Sequence, residues 1–479
     1  MKYKIITLVV SALLVLSVLM AILLPADFKS ENARYHQHLN AEPKQACTHG
    51  DDVFCSHLPV VSIDTNGVDI PGRSYHDEEG NGYYTVTEDG KDFVHGSISV
   101  IENYGENNHS TDVPSLVCEM DINVRGNTSR SFKKVGYAIR LTDSNGLNLD
   151  AGMLGMDAHH DWVLHGPILD VTLIRNYICY NIAGEIMEYA PNVRFCEVFL
   201  NGEYLGIYLM MESVTAGDQN TRLNLSVSKK NNTFSGYCLR LDRGSNTEIK
   251  NLNVFSMYTY KQFGIINLEY PGTSNINEGL KKNIEEDFTA FERALYSNDE
   301  ADTSWKQMID MESFADYFII NEFTSNYDAG LYSTYIYKDV DGLFKMCVWD
   351  FNSAFDNYQD RVVSPEGFSL QKSPWFEKMF EDEEFVELVI ERYYELRGGV
   401  LSEEYMFEYI DSTVSFLGEA IDRDTERWEN AYTGGLLFPA ERNPKTHEEA
   451  IQTMKDFIAD RGAWMDQNME SLRQHIRNK

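Results

Sequence analysis

The sequence has few cysteines and few positive charges, and both shortages restrict its function. Seven cysteines occur in 479 residues, a density too low for a scaffold held together by disulfides. Lysine and arginine together number 41 against 75 acidic residues, so the formal net charge is -34. Most of such a surface would repel a phosphate backbone, and general nucleic-acid binding is therefore excluded.

The sequence also lacks a Walker loop, a GxGxxG motif and any internal repeat. Nucleotide binding, if present, therefore has to depend on another arrangement of residues. Apolar residues are abundant, at 43% hydrophobic and 12% aromatic. This composition supports a large core and excludes a disordered polyanion.

The N-terminus carries a charge-free apolar run from Ile5 to Leu24, which is long enough to cross a bilayer as a helix. We predict a membrane-spanning signal anchor at residues 1–24, with the chain from Pro25 onward outside the cytoplasm. Removal of a long signal peptide near Ala26 would instead give a secreted protein.

Residues 25–57 have no lasting apolar period and are predicted to form a stalk. Within it, Cys47 and Cys55 could close a small disulfide loop in an oxidising compartment. A zinc site is the less favoured alternative, because His49 and His57 complete no familiar ligand spacing.

The remaining chain changes its hydrophobic period near residue 275. Residues 58–275 contain short β-rich runs divided by turn signals, of which Asn201-Gly202 is the strongest hairpin signal. Residues 276–479 have a helical period, with a helix capped by Asp310 and further helices predicted at 376–397, 402–429 and 446–472. We predict an α+β fold with a β-rich N-terminal lobe and a helical C-terminal lobe.

One segment of this acidic chain is basic. Residues 125–140 contain five cations and no carboxylate: Arg125, Arg130, Lys133, Lys134 and Arg140. Arg125 and Asn127 offer hydrogen-bond donors to an anion beside a glycine that permits close approach. Side chains alternate along a strand, so only one of Lys133 and Lys134 needs to face a cleft. The alternative is a solvated basic edge strand.

Two acidic loops occur in the helical half. Asp328 lies in the Asn-Tyr-Asp loop before a strand, and Asp350 follows the apolar run "FKMCVW". A hairpin turning at Asp341-Gly342 would bring Asp328 and Asp350 to one end of a strand pair, with Asn352 close by. Carboxylate and amide oxygens are ligands that Mg²⁺ prefers. The alternative is that each acid caps a turn or faces solvent.

The basic segment and the acidic loops together predict a site for a nucleoside triphosphate. Cations would bind the phosphate oxygens while the acids hold the bridging metal, and this division is what phosphoryl transfer requires.

Several ordered motifs resemble those of the CotH kinases, a family named for a spore coat protein. They include "RGNTSRSFKKVGYAIRL", "NGEYLGIYLMMESV", the Asn-Tyr-Asp loop and "VWDFNSAF". The resemblance implies a two-lobed fold similar to protein kinases and an ATP- and Mg²⁺-dependent transfer of phosphate to Ser or Thr of a coat, surface or secreted protein.

The resemblance also implies roles for particular residues. Lys134, or less securely Lys133, matches the lysine that pairs with phosphates; Asp350 matches the principal metal ligand; Asp328 matches the catalytic-loop aspartate, as base or second metal ligand. The nucleotide-binding loop would include Arg125 and Asn127, and Glu212 would lie near the hinge between the lobes. Arg175 is predicted to pair with an acid that sets the lobes or to be a surface arginine of a helix.

This sequence departs from the family pattern Trp-Asp-x-Asp-x-x-Phe-Gly at two positions. Asn352 replaces the second Asp, and Asp356 replaces the Gly. An Asn oxygen can still coordinate magnesium, but it brings no charge. A non-catalytic, CotH-like binding or structural protein at the cell surface or in a coat therefore remains the alternative function.

Overall fold

The computed structural model describes residues 34–42, 48–50, 53–77, 79–217, 222–226, 231–245, 247–256, 264–299, 301–429 and 435–477. The chain forms two compact units, Met1–Tyr35 and His36–Lys479. The predicted anchor at 1–24 lies outside the described residues. Among the helices that the structure does describe, none is long and apolar enough to cross a membrane.

Most of the strands lie in the first half of the second unit. In chain order they are β1 Cys55–Ser56, β2 Val60–Asp64, β3 Ser74–His76, β4 Gly82–Tyr84, β5 Val94–Ile101, β6 Asn108–His109, β7 Leu116–Arg125, β8 Gly136–Thr142, β9 Ala151–Met153, β10 Met156–His159, β11 Asp161–His165, β12 Val193–Leu200, β13 Glu203–Glu212, β14 Tyr237–Asp242, β15 Ile265–Tyr270, β16 Thr334–Lys338 and β17 Lys345–Cys347.

Seven of these strands close into a barrel in the order β11-β13-β12-β2-β5-β7-β8. The pairs are antiparallel except β12 and β2, which are parallel. Alternation along β8 sends Tyr137, Ile139 and Leu141 into the barrel core, as the sequence predicted, while Ala138 and Arg140 point outward. The Asn201-Gly202 hairpin is confirmed: both residues have positive φ, 51° and 82°, which the tight turn between β12 and β13 requires.

A second, antiparallel sheet has the order β15-β14-β16-β17. It takes two strands from each side of the domain boundary that the sequence predicts at 275/276. The boundaries 58–275 and 276–479 stay predictions. The pairing of β14 with β16 means that sequence halves with different hydrophobic periods share one sheet.

Helices dominate the second half, which confirms the α+β class with a β-rich N-terminal part and a helical C-terminal part. They are α1 Gln37–Asn40, α2 Arg175–Ile186, α3 Glu278–Leu295, α4 Met311–Phe323, α5 Phe376–Met379, α6 Glu383–Arg397, α7 Glu403–Leu417, α8 Glu419–Arg427 and α9 His447–Asn468.

The helix ends follow local capping chemistry. Asp310 caps α4 by accepting from the Ser313 amide, and Thr446 caps α9 by accepting from the Glu449 amide. The helix predicted over 402–429 is divided, because Gly418 takes a positive φ of 46° between α7 and α8.

The structure differs from the predicted stalk at its middle. Gln37 of α1 is buried, and its side chain bonds to both backbone groups of Phe195 in β12, as a neighbouring strand would. It donates to the Phe195 carbonyl at 3.1 Å and accepts from the Phe195 amide at 2.7 Å. A single polar residue makes this contact, so no apolar period in the sequence could reveal it. Of the predicted Cys47–Cys55 loop, Cys47 lies outside the described residues.

Candidate active site

Three acidic residues lie at one end of the second sheet. Asp242 is the last residue of β14, Asp328 precedes β16, and Asp350 follows β17. These strands are antiparallel neighbours, so the end of β14, the start of β16 and the end of β17 meet at one edge. The predicted hairpin of β16 and β17 is confirmed, with its turn closed by the bond from the Gly342 amide to the Asp339 carbonyl.

Helix α2 fixes the loop that carries Asp350. The Asp350 amide donates to the Tyr180 hydroxyl at 2.9 Å, and the Phe351 amide donates to the Asn176 side-chain oxygen at 2.9 Å. Asp350 has a positive φ of 61°. The two hydrogen bonds from a helix to consecutive amides therefore hold a backbone conformation that a lone loop would seldom keep.

Arg175 joins this loop to the segment before α2. Its guanidinium is buried, pairs with Asp170 at 2.5 Å and donates to the Ala354 carbonyl at 2.9 Å. The prediction that Arg175 pairs with an acid is confirmed, and the alternative of a surface arginine is wrong, because the helix lies between the barrel and the loop rather than at the surface.

A Tyr180→Phe variant should lower the free energy of unfolding by about 1–3 kcal/mol, because the buried Asp350 amide then has no acceptor. Urea unfolding followed by circular dichroism measures this loss. Tyr394→Phe is the control: Tyr394 is 41% exposed, and its substitution should change stability by less than about 0.5 kcal/mol. Equal losses in the two variants would contradict the role assigned to Tyr180.

Burial and neighbouring carboxylates disfavour the ionised forms of Asp328 and Asp350. Burial, and then the nearby Asp350 and Asp242 carboxylates, raise the pKa of Asp328 from 3.8 to about 6, while Arg243 opposes the rise. Burial likewise raises the pKa of Asp350, against the attraction of Arg125. A cation bound among these carboxylates would favour their ionised forms.

Asp328→Asn should therefore stabilise the metal-free protein at neutral pH, raising Tm by a few degrees. Between pH 3.8 and about 6 the folded state keeps a proton that the unfolded state has released, so raising the pH through this window lowers stability. The gain should be complete above pH 7 and absent below about pH 4. Differential scanning calorimetry at both pH values, with the exposed Asp360→Asn as control, tests this; a lower Tm at pH 7 would contradict it.

The oxygen of Asn352 fits a metal ion. Asn352 Oδ1 is buried, and no described residue donates a hydrogen bond to it. A buried carbonyl oxygen without a donor is costly unless something else binds it. Asn352 follows Asp350 by two residues, so the loop that carries Asp350 also carries an orphaned oxygen. This donor set suits a hard divalent cation such as Mg²⁺.

Asp356 does not add a ligand to this set. Its carboxylate already accepts from the Val363 amide at 2.6 Å and from the Arg442 guanidinium at 2.7 Å. It therefore contributes to the fold of the loop rather than replacing the missing family Asp.

The basic segment meets the acidic cluster through Arg125. Its guanidinium lies 5.3 Å from the centroid of the Trp349 ring, and its charge lowers the pKa of Asp350. Arg125 and Lys134 both lower the pKa of His165, which burial brings to about 4. Two cations of the basic segment thus act on the same buried histidine.

Asp242 and Arg243 belong to the site although the sequence did not indicate them. Asn127 lies beside Arg243, and with its side-chain oxygen directed at the guanidinium it accepts bonds of 3.1 and 3.2 Å. Arg243 also covers the Tyr332 ring at 3.7 Å. The signal in the sequence was "LRLDRG", a strand that ends in an acid and a base, but only the pairing of β14 with β16 shows where that strand ends.

The two lysines have opposite environments. Lys133 is exposed, whereas Lys134 is buried and its Nζ lies 2.6 Å from Asp424 Oδ1 of α8. Asp424 approaches the barrel where Gly206 has no side chain: a Cβ there would lie 2.1 Å from Asp424 Oδ1. The space beside Lys134 is only about 10 Å³, roughly the room for one water. Its predicted role in phosphate binding stays a prediction.

Glu212, predicted near a hinge, ends β13 with its carboxylate buried. It accepts from the Tyr189 hydroxyl at 3.1 Å and from the Asn192 amide at 2.9 Å. The next residues, 213–217, line a cavity of about 920 Å³. Glu212 therefore fixes the chain at the cavity wall through protein contacts.

Neighbouring residues, rather than the acids themselves, connect this cavity to the acidic cluster. Its walls include the outward face of β7 and β8, the end of β15 and residues 213–217. Asn123 in the wall shares a strand face with Arg125, two residues on. Glu269 in the opposite wall binds Arg240 at 3.0 Å, and Arg240 lies 3.4 Å from Asp242. One set of strands therefore carries both the cavity and the charged groups.

Comparison with known proteins decides the family. The sequence profile described as CotH kinase protein matches residues 122–465, from β7 to within α9. The chain belongs to the CotH kinase family. The match covers the basic segment, Glu212, the Asn-Tyr-Asp loop and the loop after β17, so every residue of the candidate site lies within the family domain.

A curated relative agrees with this assignment. The chain is similar to the inner spore coat protein H of Bacillus subtilis (strain 168), with 22% identity over 317 residues, which cover 63% of this chain and 76% of that protein. The resemblance drawn from the sequence motifs is confirmed. Membership of the CotH kinase family indicates kinase chemistry. For the family as a whole, this chemistry implies ATP and Mg²⁺ as cofactors and proteins as substrates.

Proposed function

We propose that this chain is an atypical protein kinase that transfers the γ-phosphoryl of ATP to Ser or Thr of coat, surface or secreted proteins. The observation that carries the proposal is that Asp242, Asp328 and Asp350 lie at one end of the second sheet, while the Arg125 guanidinium lies 5.3 Å from the ring centroid of Trp349, the neighbour of Asp350. Phosphoryl transfer needs alignment and charge neutralisation more than a covalent nucleophile, and this site supplies groups of both signs.

Asp350, Asn352 and Asp328 would hold the magnesium ion. A metal held there would supply the positive charge that phosphoryl transfer needs on the phosphate oxygens. The neutral Asn352 makes the site one charge poorer than the family pattern, while Asp242 adds a nearby carboxylate that raises the pKa of Asp328.

The chain's own groups then align the reactants. Arg125 and Arg243 present guanidinium groups suited to phosphate oxygens, and Asn127 is held beside Arg243. By the family resemblance Asp328 is the catalytic-loop aspartate, which would either accept the proton of a substrate hydroxyl or serve as second metal ligand. We assign the nucleoside to the cavity of about 920 Å³, whose size is in the range of small-molecule sites.

In a two-lobed, kinase-like arrangement, the barrel would form one lobe. The second sheet and its helices would form the other. Lys134 in this arrangement would reach phosphates only by leaving Asp424, to which it is bound at 2.6 Å. Lys133 and Glu212 would border the nucleotide site, as the family resemblance alone implies.

The apolar run from Ile5 to Leu24 supports a membrane-anchored protein with an extracytoplasmic kinase domain, or a secreted one after cleavage. A protein substrate of the same compartment is the expected partner, and the coat protein among its relatives favours a coat or surface protein. The net charge of -34 disfavours nucleic acid.

A non-catalytic surface or coat protein is the second candidate. Two observations favour it: Asn352 removes one charge from the metal site, and Lys134 is committed to Asp424.

Incubation of the full-length chain with γ-labelled ATP, magnesium and a mixture of acceptor proteins separates the two candidates. We expect label on Ser or Thr that disappears with a chelator and in Asp328→Asn. Nucleotide that binds in a magnesium-dependent way without any transfer of label would favour the non-catalytic candidate. Label that survives both the chelator and Asp328→Asn would refute this assignment of the site.

A further inference from the structure

A group of possible metal ligands lies away from the candidate active site. One ligand atom each of His49, Cys55 and His109 lies within 4.8 Å of the other two. We propose that these three residues bind a divalent transition metal, Zn²⁺ by class. The site is independent of the phosphoryl-transfer function, because its ligands lie in or next to β1 and β6 and not in the second sheet.

Strand pairing brings two of the ligands together. β1 and β6 are antiparallel, and Cys55 stands directly opposite His109 in their register. Side chains of such a pair have Cβ atoms about 4.5–5.5 Å apart. The Ser110 amide donates to the Phe54 carbonyl at 3.0 Å and extends this pairing. Sequence spacing could not show the site, because 54 positions separate the two ligands.

His109 is oriented for ligation by a carboxylate. Its Nδ1 lies 3.3 Å from Asp112 Oδ2, which also accepts from the His109 amide at 2.8 Å. Asn103 Nδ2 donates to the same oxygen at 2.6 Å and fixes it. When Nδ1–H donates to Asp112, the lone pair is on Nε2. Metal-binding histidines in proteins usually have such a carboxylate behind them.

The donor set selects the metal class. Two imidazoles and a thiolate suit Zn²⁺ better than the hard ions Mg²⁺ and Ca²⁺, which prefer oxygen. Three protein ligands leave the fourth tetrahedral position for water. Binding replaces the thiol proton of Cys55, which passes to solvent, by the metal.

The metal would fasten the N-terminal segment to the barrel. His49 precedes β1, and Phe54 packs against the rings of Phe199 and Tyr204 at 4.9 and 5.5 Å. A bond network from His49 through the metal to His109 would therefore fix the chain at the point where it leaves the predicted stalk.

Cobalt substitution tests the proposal with the full-length chain, isolated without reductant and stripped with a chelator. Co²⁺ should bind one per chain with thiolate-to-cobalt charge-transfer absorption in the near ultraviolet, and Zn²⁺ should displace it. Cys55→Ser should abolish the absorption, and Asp112→Asn should weaken Co²⁺ binding about 10- to 100-fold. The absorption reports a thiolate, so the separate group of Asp150, His159 and His160 does not contribute to it.

His76→Gln, at an exposed histidine, is one control that should keep the absorption. Cys47→Ser is a second control that should keep it, and far-ultraviolet circular dichroism verifies that each variant is folded. Three results would overturn the proposal: no charge-transfer absorption, absorption that survives Cys55→Ser, or a Cys47–Cys55 disulfide in the isolated chain. None of these results bears on phosphoryl transfer, which Asp328→Asn tests separately.

Discussion

Asp350→Asn should lose phosphoryl transfer by about 10²–10³-fold, the size of effect seen when one charged or polar group is removed from a reacting centre. The substitution keeps the shape of the side chain. Asn tolerates the positive φ of 61° at this position, and the amide bond to Tyr180 is unaffected. The loss therefore reports the charge alone. Calorimetric titration should show that the magnesium-dependent part of nucleotide affinity disappears with it.

Asp360→Asn is the matched control, because it removes the same charge from an exposed position ten residues further along. It should leave both transfer and nucleotide binding within about twofold of the wild type, since solvent and salt largely screen an exposed charge. If the two variants lost activity equally, the metal site would not be at Asp350.

Lys134→Met should destabilise the fold by about 3–5 kcal/mol, because it leaves the buried Asp424 carboxylate without its cation. Burial lowers the pKa of Lys134 and raises that of Asp424, and the attraction between them opposes both shifts. Asp424 also accepts from the Ile207 amide at 2.7 Å. The pair therefore connects the segment before β8 with β13 and α8. Urea unfolding without nucleotide measures the stability that it contributes.

The neighbouring Lys133→Met is the control and should cost less than about 0.5 kcal/mol, because Lys133 is exposed. The double variant Lys134→Met/Asp424→Asn should recover part of the loss, since no buried charge remains unpaired. Equal stabilities of the Lys133 and Lys134 variants would show that the ion pair has no structural role, and would favour Lys134 as a mobile, phosphate-binding lysine.

Features set by short-range chemistry were predictable from the sequence. The Asn201-Gly202 hairpin, the caps Asp310 and Thr446, and the alternation along β8 each depend on a few neighbouring residues. The hairpin of β16 and β17 belongs to the same class, and it alone brought Asp328 and Asp350 together. The candidate metal ligands were thus accessible to sequence reasoning, because one local turn joins them.

Features set by long-range pairing were not predictable. Asp242 joins the acidic cluster only because β14 pairs with β16, which lies some 90 residues further on in the sequence. The partner of Lys134 is 290 residues away. In both cases the residues that meet carry no shared local pattern, so the sequence could indicate a charged residue but not its partner.

Two of the predicted helices differ from the structure in their ends. The predicted helices over 376–397 and 402–429 are each divided in two. At 402–429 the break follows from Gly418. At 376–397 it follows from Asp382, which caps α6 by accepting from the Phe385 amide and so begins a new helix inside the apolar period.

The central claim is that Asp328, Asp350 and Asn352 hold a divalent cation across from Arg125. Anomalous diffraction from a crystal of the full-length chain soaked with Mn²⁺ and a non-hydrolysable ATP analogue tests it most directly. We predict an anomalous peak in contact with oxygens of Asp328, Asp350 and Asn352, with the phosphates directed at Arg125. Nucleotide phosphates and manganese bound elsewhere, with this end of the second sheet empty, would contradict the account.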